Sequence, residues 1–147
     1  LIKVGSEPKV IEYNVRMGDP ETEVVIPRIK SDFLNLLKGI KDGTFSEKDL
    51  EITEDYASTV MLVSKGYPEK YEKGFDITHI KECEDNLIFH AGTKLENNIV
   101  KTNGGRVMAI TSFGKEINIA LKKSYEGAEK ITFFGKNYRK DIGFDLQ

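Results

Sequence analysis

The sequence predicts an α+β fold, a β-hairpin with helices in the first third followed by a mostly antiparallel β carboxy-terminal lobe with one packed helix. Three observations predict it. The chain opens in the apolar alternation Leu1-Ile2-Lys3-Val4, which reads as strand. Between Asp19 and Gly43 apolar residues recur at helical spacing, and from Tyr56 onward short β-rich runs take over, separated by glycine and asparagine turns.

After the turn Gly5-Ser6-Glu7-Pro8, the run from Lys9 to Val15 is β-rich and pairs back on the first segment. The chain begins without Met and in mid-pattern. A strand so placed needs more partners than one return strand supplies, so the reading is of a piece whose upstream part is missing. Gly18-Asp19-Pro20 stops the hairpin and starts a helix, with Asp19 as N-cap and Glu21 near the positive dipole end. Pro27 breaks that helix. Ser31 is expected to cap a second piece that buries Phe33, Leu34, Leu37 and Ile40 and ends at Asp42-Gly43.

Thr59 to Val63 is a near-continuous apolar run typical of a buried strand. Further strands are expected at 77–80, 86–90, 98–102, 106–112 and 131–134, with Asn103-Gly104-Gly105 as a tight corner. One helix, 115–125, presents Ile117, Ala120, Leu121 and Tyr125 to the sheet. The change of period divides the chain into residues 1–53 and 54–147.

Composition narrows the function classes. Of 147 residues, 39% are hydrophobic and 31% charged, with net charge −2, a globular balance with no nucleic-acid footprint. No apolar run reaches the roughly 20 residues of a membrane helix, and no signal peptide opens the chain. Cys83 stands alone, which excludes an internal disulfide, and His79 and His90 are too few beside it for a closed zinc site. Cytoplasmic residence is the expectation.

Strand alternation would put Glu12, Asn14 and Arg16 on one face. A carboxylate and an amide carbonyl are hard oxygen donors of the kind magnesium takes while keeping waters and phosphate oxygens. On spacing alone, such a pair is far more often a solvated face, and Arg16 a surface ion pair. Asp19 fits an N-cap. Ala91-Gly92-Thr93 and the corner at Asn103 and Gly104 offer backbone donors for a phosphate or ribose, although hairpin turns need the same residues. His90 receives no role.

The string Glu12-Tyr13-Asn14-Val15-Arg16-Met17-Gly18-Asp19-Pro20-Glu21-Thr22 changes the odds. It resembles the E-F-N-x-R-x-G-D-P-E-T segment of the glycinamide ribonucleotide synthetase family. The resemblance continues in order through Arg28 to Asp32, Ser64-Lys65-Gly66-Tyr67-Pro68, Phe89 to Lys94, Thr102 to Val107 and Tyr138 to Gly143. Departures are small: Tyr13 for phenylalanine, Phe144 for tryptophan and Glu23 for glutamine. A spaced series of this kind is far harder to meet by chance than one short pattern.

The resemblance implies that residues 1–53 are the end of an ATP-grasp core and that 54–147 form the carboxy-terminal lobe. It implies an ATP-dependent ligase of purine biosynthesis, joining glycine to phosphoribosylamine through glycyl phosphate. ATP is then the co-substrate and Mg2+ or Mn2+ the cofactor, with Glu12 and Asn14 as metal ligands and Arg16 as catalytic contact to the transferring phosphate. Asp19, Asn103 and Gly104 become candidate substrate contacts. The phosphate-covering loop and nucleotide lysines of such enzymes would lie in missing amino-terminal domains of the same chain, so the piece alone is expected to be inactive. Two alternatives stand beside this: a related purine-pathway carboxylase or formate-dependent transformylase, and a non-catalytic binding module indifferent to magnesium and ATP.

Overall fold

The structure, a computed structural model, describes residues 1–146. Ile2–Val4 (β1) and Glu7–Lys9 (β2) form an antiparallel hairpin, Ile2 opposite Lys9, with Gly5 at φ 63° in its turn. The return strand is earlier and shorter than the sequence suggests: Glu7 and Pro8 belong to it, and residues 10–17 have no strand partner. Burial gives the reason. Ile11, Tyr13 and Val15 are 66%, 82% and 93% exposed, so their alternation finds nothing in this chain to pack against. An extended segment without a neighbour leaves its backbone groups to water.

Thr22–Val25 (α1) runs into a 3-10 turn, Ile26–Arg28, with Pro27 where its missing N–H costs nothing. Asp19 does not cap this helix. Glu21 stands at the N-cap, but its side chain accepts from Gly18 N instead of capping the helix, while Asp19 has a different partner. The next helix, Phe33–Asp42 (α2), is capped by Asp32, whose carboxylate accepts from Asn35 N at 2.9 Å. Ser31, the expected cap, instead bridges two strands of backbone: its Oγ donates to Asp49 O and accepts from Glu51 N, both at 2.7 Å. Leu36 is the buried residue of α2, and the expected stripe of Phe33, Leu34, Leu37 and Ile40 faces outward. Gly43, at φ 70°, ends the helix as expected.

The second part is built on Tyr56–Ser64 (β3), Leu87–His90 (β4), Thr93–Glu96 (β5), Ile99–Thr102 (β6), Arg106–Gly114 (β7) and Lys136–Asn137 (β8). β4, β7, β3 and β8 make one antiparallel sheet in that order, and β5 pairs with β6 in a separate hairpin. Ile117–Lys130 (α3) covers one face of the sheet. On that face Val60, Leu62, Met108 and Ile110 are fully buried, together with Val107, Ala128 and Ile131. Each such side chain contributes roughly 1.5–3 kcal/mol through removal from water.

Helix and sheet approach closely at Gly127, where a Cβ would stand 2.6 Å from Asn86 Oδ1 and 2.9 Å from Ile110 Cγ2. Two buried hydroxyls satisfy each other across the gap, Ser58 Oγ and Ser124 Oγ at 2.8 Å. Lys136 closes the far end. Its Nζ donates to the carbonyls of Ala128, Glu129 and Ile131 at 2.8, 3.1 and 2.6 Å, giving partners to acceptors a helix end leaves bare.

Three expectations change here. β5 is additional, turning into β6 through Asn97 and Asn98 at φ 52° and 62°. The strand expected at 77–80 reduces to single bridges, Asp76 with Lys101 and Thr78 with Thr132, before a 3-10 turn, Ile80–Glu82. The strand expected at 131–134 is likewise one bridge, and pairing with β3 begins only after Gly135. Among the described residues no helix is long and apolar enough to cross a membrane.

Candidate functional site

The face of the sheet opposite α3 carries Thr59, Met61 and Val63, and α1 packs over one end of it, with Thr111 Oγ1 donating to Glu23 O at 2.8 Å. A register shift shapes the other end. β3 and β7 pair regularly to Leu62 opposite Met108, after which Val63 faces Arg106 and Val107 is passed over. Opposed residues of an antiparallel pair share a face, so the bulge sends Val107 into the core and turns Arg106 to the side of Val63 and Met61.

There Arg106 meets Asp19. Its Nη1 donates to Asp19 O at 2.7 Å, and its Nη2 lies 3.3 Å from Asp19 Oδ2. Beside this pair opens a cleft of about 620 Å3, walled by Pro20, Met61, Tyr67, Arg106 and the Asn137-Tyr138-Arg139 segment. The apolar floor and the two guanidiniums at its rim suit a polar ligand that carries negative charge. Arg139 also forks onto Asp141, with Nε and Nη2 each 2.9 Å from a carboxylate oxygen, which holds the Asp141 carboxyl below the usual range. Burial raises the Tyr138 hydroxyl, which therefore stays protonated at neutral pH.

Glu12, Asn14 and Arg16 lie in the extended segment leading into the Asp19 turn. They do not share the face of a paired strand, because that strand is absent. Asn14 Oδ1 accepts from Arg16 N at 3.3 Å, and one Arg16 nitrogen donates to Met17 O at 3.1 Å. Asn14 Oδ1 keeps a further lone pair, and the Glu12 carboxylate has no protein partner among the described residues. Two hard oxygens of this kind fit a divalent cation that completes its shell with water and phosphate oxygens. Among the described residues no three His, Cys, Asp or Glu side chains converge on a metal position.

Asn103 and Gly104 are not brought to this cleft. Asn103 N donates to Gly92 O at 2.7 Å, Gly104 O accepts from Ser64 Oγ at 2.9 Å, and a Cβ on Gly92 would stand 2.6 Å from Gly104 Cα. Close backbone approach accounts for these glycines. Arg106 and Arg139 are the residues that sequence reading passed over as site groups. Arg106 had a signal: a charged residue at the head of the fully apolar run Val107 to Ile110, directly after a Gly-Gly corner.

Comparison with known proteins bears on this arrangement. The family model described as phosphoribosylglycinamide synthetase, C domain, matches residues 57–145. A phosphoribosylamine–glycine ligase of Halalkalibacterium halodurans is 45% identical across 97% of this chain, which spans 33% of that protein. A bifunctional purine biosynthetic protein of Pichia angusta is 45% identical across 97% of the chain, which covers 18% of its length. The crystal structure of phosphoribosylamine–glycine ligase from Thermotoga maritima superposes with a TM-score of 0.80 at 39% identity, covering 93% of this chain and 34% of that one. The chain thus spans about a third of the single-function relatives it matches. By these matches, the chain belongs to the phosphoribosylglycinamide synthetase family, with its sheet-and-helix part corresponding to the C domain.

Proposed function

We propose that this chain is the carboxy-terminal part of a cytoplasmic ligase that forms glycinamide ribonucleotide from phosphoribosylamine and glycine at the expense of ATP. In this reading residues 1–53 end the ATP-grasp core and 54–147 form the lobe closing the substrate cleft. What carries it is the 45% identity to a phosphoribosylamine–glycine ligase across 97% of the chain, a span that includes the whole Glu12 to Thr22 segment.

Glu12 and Asn14 hold Mg2+ or Mn2+, which when bound screens the charge of the nucleotide phosphates during phosphoryl transfer. Arg16 donates to the transferring phosphate; only one of its nitrogens is engaged by Met17 O, which leaves further donors. Asp19 orients substrate at the mouth of the cleft. The apolar walls Met61 and Tyr67 exclude water from a mixed anhydride such as glycyl phosphate, which water would otherwise hydrolyse.

Phosphate release from magnesium-ATP by the natural full-length protein, with glycine and freshly generated phosphoribosylamine each present or omitted, tests the reading. Release that needs both supports it. Release that needs bicarbonate or formate instead moves the assignment to a related carboxylase or transformylase, and no release at all moves it to a binding module. The chain of 147 residues alone is expected to turn over no ATP.

A further inference from the structure

The segment that carries Glu12, Asn14 and Arg16 makes few contacts of its own. Its hydrogen bonds among the described residues are local: Arg16 N to Asn14 Oδ1, Arg16 Nη1 to Met17 O, Gly18 N to Glu21 Oε2 and Thr22 N to Gly18 O. The bond that ties residues 10–20 to the sheet comes from Arg106, 87 residues further along the chain. Arg106 is itself fixed. Its carbonyl accepts from Gly92 N at 2.8 Å, its backbone pairs with Val63, and the four residues after it are fully buried. A guanidinium with two donors on one side is a fork, and here its prongs reach both the main-chain and the side-chain oxygen of one residue.

We propose that Arg106 is a positioning residue: the β-bulge aims it at Asp19, and its two-pronged grip sets where the Glu12 to Arg16 segment presents its oxygens. The inference rests on the reading that Glu12 and Asn14 hold a divalent cation. Groups that orient metal ligands without touching the metal typically change affinity or activity by about 10- to 100-fold when removed. Lysine keeps the charge of Arg106 but is a single point donor that does not span both acceptors. Arg106→Lys is therefore expected to behave like Arg106→Gln in metal binding, although it preserves the local charge.

The test uses the natural full-length protein and reads Mn2+ binding by the loss of the free-ion EPR signal beyond that caused by a non-hydrolysable ATP analogue alone. Alongside it, KM for phosphoribosylamine is measured at saturating metal. Circular dichroism and the unfolding midpoint check that each variant is folded. The expected result is Mn2+ binding weakened roughly 10- to 100-fold in both variants; because Arg106 and Asp19 also border the cleft, any rise in the KM for phosphoribosylamine accompanies that loss and does not replace it. Full Mn2+ affinity in Arg106→Gln, rescue by Arg106→Lys, or a defect confined to the KM for phosphoribosylamine would each overturn the proposal, the last by making Arg106 a direct substrate contact. Wild-type protein that binds no Mn2+ would overturn the metal reading and the tether with it, an outcome separate from the variant results.

Discussion

Residues 56–146 and residues 1–53 differ sharply in what they bury. In the sheet-and-helix part, Val60, Leu62, Val107, Met108, Ile110 and Ile131 are closed off from water, whereas in the first part Leu36 is the buried hydrophobic residue. The first part is not short of apolar side chains. Val10, Ile11, Tyr13, Val15, Phe33, Leu34, Leu37 and Ile40 are all exposed. Apolar pattern therefore marks where burial is intended, and burial occurs only where a partner surface exists in the same chain. Under the proposed function, that partner surface is the remainder of a ligase about three times as long.

Paired substitutions measure this contrast. Leu62→Ala removes a fully buried side chain facing α3 and should lower unfolding free energy by about 2–5 kcal/mol, whereas Leu37→Ala, at 48% exposure, should change it by less than about 0.5 kcal/mol. Urea unfolding of this chain checks both. Equal losses would mean that the outer face of α2 is packed in solution, and the contrast would fail.

A second pair compares hydrogen bonds. Ser124→Ala leaves the buried Ser58 hydroxyl without its partner and should cost about 1–3 kcal/mol. Ser31→Ala breaks the bridge between Asp49 and Glu51 nearer the surface and should cost about 0.5–1.5 kcal/mol. Thermal melting ranks them, and the reverse order would place the better-ordered region at the amino-terminal end.

The smallest effect lies inside the sheet-and-helix part. Arg139 lowers the Asp141 carboxyl below its ordinary 3.8, so folding favours the ionised form. The stability this adds is present above about pH 3.8 and is lost as pH falls through the lowered value. Asp141→Asn should therefore melt slightly below wild type at pH 7, with the difference shrinking as pH is lowered below 3.8, and a difference that does not shrink with acidification would mean that the pair does not act through charge.

Sequence legibility follows the same division. β3, β4, β6, β7 and α3 were readable because their periods match surfaces that the chain itself covers. Gly43 was readable because a left-handed helix end needs it. The return strand expected up to Val15 failed for want of a neighbour. β5 escaped notice because Asn97 and Asn98 turn the chain through left-handed backbone with no glycine to mark it. Of the residues that one string and its family resemblance single out, Asp19 meets Arg106 beside the cleft, and Glu12, Asn14 and Arg16 lie on the unpaired segment before it. Arg106 was marked only by its place before an apolar run, and its direction depends on a one-residue register shift between β3 and β7. The corner at Gly104 looks like a ligand corner for the same reason that it makes a tight backbone crossing with Gly92: both tasks want a residue without a side chain.

Under the proposed function, the sparsely packed segment performs the chemistry and the well-packed lobe places it. The most direct measurement is the rate of phosphate release by the natural full-length protein carrying Glu12→Ala, with magnesium-ATP, glycine and phosphoribosylamine all saturating. A fall of at least about 100-fold is expected, with the unfolding transition unchanged, because an exposed side chain that holds the metal contributes to chemistry and not to folding. A rate close to wild type would contradict it.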